Sequence, residues 1–211
     1  MPFKKDALAK NLLLILTRNP ELGKCKTRLA AEVGNQAALE IYGFLLRHTR
    51  AITLGLPMEK WVLYSEQIWE EDIWDPAIYQ KKLQRGDDLG QRMENAFREG
   101  FRAGFGNIVI IGSDLHDLSQ GDLETAFSLL EAHDHVLGPA QDGGYYLLGM
   151  KVLDQKVFRD KAWSSDTVLA DTLVDLQGKK VALLPERNDV DHYKDIKDIK
   201  VFAPFIKHMD L

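Results

Sequence analysis

The stretch Asn107-Ile-Val-Ile-Ile-Gly-Ser-Asp114 limits the folds open to this chain more than any other. Four consecutive β-branched residues, Ile108 to Ile111, suit a strand with apolar neighbours on both faces, as occurs inside a parallel sheet. The run stops abruptly at Gly112, Ser113 and Asp114. In an open α/β sheet, ligands sit in the crevice outside the carboxyl ends of the strands. A carboxylate at that end is placed for work, and the glycine beside it leaves room for close approach. The plain alternative is that Asp114 caps the helix beginning near Ser119. Ser119 can cap that helix itself, which frees Asp114 for a ligand.

Other runs supply the sheet's partners. Asn11 to Thr17 (NLLLILT) reads as a second buried strand and feeds directly into Arg18-Asn-Pro-Glu-Leu-Gly-Lys-Cys-Lys-Thr-Arg28. A strand, a glycine-containing loop and a helix in succession gather backbone N–H groups around phosphate. Lys24 and Lys26 add point charges and Arg28 a bidentate fork. The loop is neither a P-loop nor a G-x-G-x-x-G fingerprint, because Arg18 and Cys25 stand where a P-loop has glycine and Ser or Thr. Cys25 lies between two lysines, which favour its thiolate and predict a lowered pKa and a reactive thiol.

Helical spacing of Ala38, Ile41, Tyr42, Leu45 and Leu46 predicts a helix over 34–53, and Lys60 to Tyr64 a short strand. Ser65 to Ile78 is acidic and reads as a surface loop or short helix, not core; its Trp69 and Trp74 could form an acceptor-binding surface, but packing against the body is the expected role. Tyr79 to Gln84 predicts another strand. A helix then opens in Gly86-Asp-Asp-Leu-Gly-Gln-Arg-Met93, capped by Asp87 or Asp88. Gly90 in its first turn costs about 1 kcal/mol against alanine, so something should approach the backbone there. Further on, 119–132 predicts a helix and 135–138 a strand. Asp142-Gly143-Gly144 predicts a tight turn before the strand Tyr145 to Leu148; close ligand contact at the glycine pair and a bare hairpin fit the pattern equally. Ser165 or Asp166 is a candidate cap for a helix through Leu176, and 180–184 a strand before the acid-rich turn holding Asp189 and Asp191. From Tyr193 the tail reads as a short charged helix.

At 211 residues the chain predicts one domain, 1–211, without a dividing linker, and its 45% hydrophobic content suits a packed core. A net charge of −5 argues against a nucleic-acid polymer as partner, while leaving room for a local basic pocket for one nucleotide. A single cysteine fits a reducing cytoplasm. The apolar run Leu12 to Leu16 is too short for a signal peptide and is followed by Arg18, and nothing approaches a membrane span.

The segments TRNPELGKCKTRLA, QRGDDLGQRMENAF, IGSDLHDL, GPAQDGGYYLLGM, AWSSDT and NDVDHYKDI together resemble one bacterial family, the glycosyltransferase-like or selenodomain-associated transferases. That family is similar in turn to the nucleotide-diphospho-sugar transferase superfamily, including the 2-phospholactate guanylyltransferases. His116 departs from the pattern, standing where the family's S-D-x-P-D-L motif has proline; it adds a candidate ligand or proton carrier at a place where a histidine is more often structural. The resemblance implies a GT-A fold: three-layer α/β/α around a mostly parallel, mixed sheet. It implies that Asp114 and Asp191 bind Mg²⁺ or Mn²⁺, with Asp189 as the substitute for Asp191, an arrangement suited to a cation that keeps waters and substrate phosphates. Asp114, Lys26 and Asp142 are the candidate catalytic residues. Arg18, Gly23, Lys24, Lys26, Thr27, Arg28, Gly90, Ser113, Gly143 and Gly144 are the candidate donor-binding residues. The expected function is transfer from a nucleotide-activated donor to a small-molecule acceptor: glycosyl transfer from a nucleotide sugar, or nucleotidyl transfer from a nucleoside triphosphate to a phosphorylated acceptor. A nucleotide-binding module without catalysis is the third expectation.

Overall fold

The computed structural model describes residues 10–210. The first nine residues, part of the stretch weighed as a signal peptide, lie outside them. One seven-stranded sheet forms the middle layer, in the order β3-β2-β1-β4-β6-β5-β7. Its strands are β1 (Asn11–Thr17), β2 (Glu59–Tyr64), β3 (Gln80–Leu83), β4 (Asn107–Ile111), β5 (His135–Pro139), β6 (Tyr145–Met150) and β7 (Val181–Leu183). Strand β6 is antiparallel to both its neighbours, β4 and β5, and all other pairs are parallel. The sheet is mixed and mostly parallel, as expected.

Alternation along the central strands sets the layers. Leu13 and Ile15 of β1 and Val109 and Ile111 of β4 pack into one cluster with Tyr42, Leu46, Leu123, Ala126 and Leu130. Those partners come from α2 (Asn35–Leu54) and α4 (Gln120–Ala132). Leu12, Leu14, Ile108 and Ile110 face the other way, onto Met93, Ala96 and Phe97 of α3 (Leu89–Arg102). With apolar side chains on both faces, β1 and β4 can sit only between two helical layers. Two further helices, α1 (Thr27–Val33) and α5 (Val168–Asp175), follow the basic loop and the AWSSDT segment.

Several local expectations are corrected. The 65–78 segment does reach the core, its tryptophans packing on the body as expected: Trp74 is buried, edge-on against Tyr79 with ring centroids 5.0 Å apart, and Trp69 packs against the same cluster. Asp72 holds this segment in, accepting from the Tyr64 hydroxyl and pairing with Lys81. Thr167, not Ser165 or Asp166, stands at the cap of α5. The tail is not merely a charged helix: Phe202 and Ile206 are buried with Leu29, Ile41 and Leu45. His116 lies edge-on against Phe202, centroids 5.4 Å apart, as a packing residue. Among the described residues no helix is long and apolar enough to cross a membrane.

Candidate active site

The carboxyl ends of β1 and β4 are tied together by one side chain of α2. The Tyr42 hydroxyl accepts from the Arg18 N–H at 2.8 Å and lies 3.2 Å from both the Thr17 and Ser113 hydroxyls. Helical spacing marked Tyr42 only as apolar; its phenolic end bridges the two strands just past their last paired residues, Ile15 and Ile111. On the next turn of chain, Asn19 is buried and donates to the Gln67 carbonyl at 2.8 Å while accepting from the Glu66 and Gln67 N–H groups. The basic loop is therefore clamped at its start.

At the loop's end Lys26 adopts the left-handed region, φ 49°. Left-handed backbone in a residue with a Cβ is costly and concentrates at functional sites. The turn sends the Lys26 side chain inward, where it is only 8% exposed and its Nζ donates to Asp114 Oδ2 at 3.1 Å. Asp191 Oδ1 stands 3.9 Å from the same nitrogen, and Arg28 donates to the other Asp191 oxygen at 2.8 Å. Burial works against the Lys26 ammonium, but the Asp114, Asp191 and Asp189 charges outweigh it and hold its pKa above the ordinary value. Burial and the neighbouring Asp114 carboxylate push Asp189 up to about 6.

Each acid is positioned from outside the site. Ser119 caps α4 in a capping box with Asp122, so Asp114 is not needed there. Asp114 instead offers its carbonyl to the Val190 N–H at 3.1 Å, which docks the acidic turn on β4. Asp195 closes that turn, accepting from the Asp191 N–H at 3.0 Å, the His192 N–H at 2.6 Å and the Asn188 amide at 3.0 Å. Arg187, paired with Asp117 and Asp122, fixes its approach. Asp142 accepts from the Gly144 N–H at 2.9 Å, completing the predicted tight turn.

These groups open into one cavity of about 640 Å³ along the carboxyl edge of the sheet. Arg18, Lys26, Thr27, Arg28, Ser113, Asp114, Asp142, Gly144, Asp189 and Asp191 line it. Gly23, Lys24, Gly90 and Gly143 do not, each for a visible reason. Lys24 is exposed and pairs with Glu21 at 2.8 Å and Glu66 at 3.8 Å. Gly23 is a turn residue, φ 76°, beside Asn35. A Cβ on Gly90 would meet the Phe158 carbonyl and the Trp163 ring, each at 2.6 Å, and one on Gly143 the Asp166 carbonyl at 2.1 Å. Both glycines accommodate the segment 158–167, not a ligand. Cys25 is likewise not the reactive thiol expected: it is 2% exposed and burial pushes its pKa up, against the pull of Arg18 and Lys26. The cavity also takes in Gln84, Arg92, Tyr145, Trp163, Ser164 and Ser165, which pattern reading did not assign to the site. All six lie within the family-like segments: Gln84 and Arg92 in QRGDDLGQRMENAF, Tyr145 in GPAQDGGYYLLGM and the other three in AWSSDT.

A divalent cation fits the donor set. The Asp114 and Asp191 carboxylates converge on one place, now held by the Lys26 ammonium. Among the described residues no group of three or more His, Cys, Asp or Glu side chains could hold a metal. An ion here would complete its coordination from water and donor phosphate, as Mg²⁺ commonly does.

Comparison with known proteins finds the same fold. The family model described as an uncharacterized protein conserved in bacteria, DUF2064, matches residues 54–165. A protein of Desulfovibrio desulfuricans G20 that bears the name nucleotide-diphospho-sugar transferase superposes with TM-score 0.82 at 27% identity, covering 96% of each chain. The inositol-1-phosphate CTP transferase of T. maritima superposes with TM-score 0.55 at 14% identity over 93% of this chain and 95% of its own. A CMP:2-keto-3-deoxy-manno-octonic acid synthetase complexed with CTP gives 0.53 at 11% over 96% of this chain and all of the other. These last two share the fold alone. Among curated proteins, 73 residues are 36% identical to the SPS-sensor component SSY1 of Saccharomyces cerevisiae; the match spans 35% of this chain and 7% of that protein's length. The chain is a member of the bacterial family DUF2064 and has the nucleotide-diphospho-sugar transferase fold.

Proposed function

We propose that the protein is a divalent-metal-dependent transferase that moves a glycosyl group from a nucleotide-diphospho-sugar to the hydroxyl of a small acceptor. The observation that carries this is the convergence of Asp114, Asp191 and the buried Lys26 at the carboxyl end of β4. The name of the Desulfovibrio relative points to the same donor class. In this reading Asp114 and Asp191 would hold the cation, which would supply positive charge to offset that of the diphosphate and of the leaving nucleoside diphosphate. Lys26 and Arg18, both lining the cavity, would contact phosphate oxygens. Asp142 accepts the proton of the acceptor hydroxyl as its oxygen bonds to the sugar carbon. The bond from that carbon to the diphosphate oxygen breaks, and its electron pair leaves with the nucleoside diphosphate.

A second reading, nucleotidyl transfer with release of pyrophosphate, is favoured by three cations from one loop lining the cavity: Arg18, Lys26 and Arg28. Two observations weigh against it. Lys24 is turned away, and the lining acids Asp87, Asp88, Asp114, Asp142, Asp189 and Asp191 outnumber the cations Arg18, Lys26, Arg28 and Arg92. A triphosphate meets more repulsion there than a diphosphate does. Calorimetric titration of the four common nucleoside triphosphates and of UDP-, GDP- and ADP-glucose, with Mg²⁺ or Mn²⁺ and with EDTA, tests both. Metal-dependent binding of a nucleotide sugar supports glycosyl transfer. A preference for a triphosphate, lost selectively in Arg28→Ala, would overturn it in favour of the second reading.

A further inference from the structure

The cavity has two chemically different halves. Among the described residues, its cations come from the basic loop, 18–28, and from Arg92 of α3. The wall built by the 140–146 turn and the 163–165 segment holds no cation at all. It is lined instead by Asp142, Tyr145, Trp163, Ser164 and Ser165. Three further observations mark this wall as built for a ligand. Trp163 is seated against Gly90, where any Cβ would lie 2.6 Å from the indole, so the ring's position depends on that glycine. Ser164 has φ 72°; with Lys26 it is one of two cavity residues other than glycine in the left-handed region among the described residues. Such backbone persists where surroundings force it, and it gathers at ligand clamps. The Tyr145 hydroxyl is buried and has no hydrogen-bond partner among the described residues, which is rare enough to need a cause.

Taking the donor to bind at Lys26 and Asp114, as proposed above, we infer that this wall is the acceptor subsite and that it selects a neutral, hydroxyl-bearing ring such as a sugar or cyclic polyol over a phosphorylated acceptor. An indole and a phenol offer apolar faces to the C–H face of such a ring, and the Asp142 carboxylate with the Ser164 hydroxyl suits its hydroxyls. Asp142 accepts from a hydroxyl but repels a phosphate dianion, and no cation on this wall offsets that repulsion.

The test compares methyl β-D-glucopyranoside with glucose 6-phosphate, which share a ring and differ in charge, by saturation-transfer NMR. Titrations run with and without Mg²⁺ and an equimolar mixture of ADP, CDP, GDP and UDP. The neutral glucoside should bind more tightly than the phosphate. Its affinity should fall about tenfold in Trp163→Ala, as for loss of a binding anchor. Tyr145→Phe, which keeps the ring, should weaken it less, and Asp142→Asn should narrow the gap between the two sugars by improving the phosphate. Tighter binding of glucose 6-phosphate, or glucoside binding that is absent or indifferent to both Trp163→Ala and Asp142→Asn, overturns the inference. Failure of the donor reading is distinguishable: nucleoside diphosphates would then neither bind nor respond to metal, while the glucoside still depended on Trp163 and Asp142.

Discussion

At the scale of single residues, the site turns on a lysine that already occupies the place proposed for a metal. Lys26 is buried between two carboxylates, and an ammonium held so cannot leave without uncovering Asp114 and leaving Asp191 to Arg28 alone. Lys26→Met should therefore strengthen Mn²⁺ binding in the absence of nucleotide while weakening nucleotide binding. Electron paramagnetic resonance of free Mn²⁺ measures the first and calorimetry the second; unchanged Mn²⁺ affinity would show that the acids do not share one ion. Asp114→Asn should abolish metal-dependent nucleotide binding with the fold intact. Loss of a charge-assisted contact costs about 1.5–3 kcal/mol, or roughly ten- to a hundredfold in affinity. Circular dichroism and nucleotide titration together decide it. Cys25 should react slowly with iodoacetamide in the native protein and quickly after unfolding, since its thiol is both inaccessible and raised in pKa. Rapid native alkylation would contradict its burial.

At the scale of elements, what matters is how loops are pinned to strand ends. The acidic turn after β7 reaches the site because Asp195 gathers three donors at its base. Asp195→Ala should cost about 1 kcal/mol, as for loss of a helix cap, and should weaken metal-dependent binding without touching the ligand. Denaturant melts and nucleotide titrations read the two effects; a stability loss with full binding would mean the turn keeps its shape unaided. Helix α3 offers a second case. Replacing Gly90 by alanine gains about 1 kcal/mol of helix propensity. Its Cβ would also meet the Phe158 carbonyl and the Trp163 ring at 2.6 Å, and overpacking of that kind costs about 1–3 kcal/mol. The clash should win. Gly90→Ala is expected to lower the melting temperature and to shift Trp163 fluorescence, whereas a rise in stability would place Trp163 elsewhere.

At the scale of the whole molecule, the buried histidines make the fold sensitive to acid. His135 is 3% exposed, neither ring nitrogen has a hydrogen-bond partner among the described residues, and burial lowers its pKa against the opposing pull of Asp154, 3.9 Å from Nε2, and Asp134. The unfolded chain thus binds a proton that the native state resists, so stability is full above the ordinary pKa of 6.5 and falls as pH drops toward the lower native value. The slope approaches about 1.4 kcal/mol per pH unit for such a group. Denaturant melts between pH 7 and 5 should show this loss, and His135→Leu should flatten it; an unchanged slope would assign it to another group, such as His116. The two-faced apolarity of β1 and β4 was legible in the chain, because a strand's period of two and its neighbours' polarity are local properties. So were the strand-end position of Asp114, the Asp142 turn and the Ser119 cap, all set within a few residues. Tertiary structure alone decided which charges share a space. Lys24 and Lys26 are two positions apart, yet one left-handed residue sends Lys26 inward to meet Asp191 from the far end of the chain and leaves Lys24 in solvent. It also buried Cys25 and Trp74 and brought Trp163 over Gly90, since burial depends on what the rest of the fold lays across a residue, which no local pattern encodes.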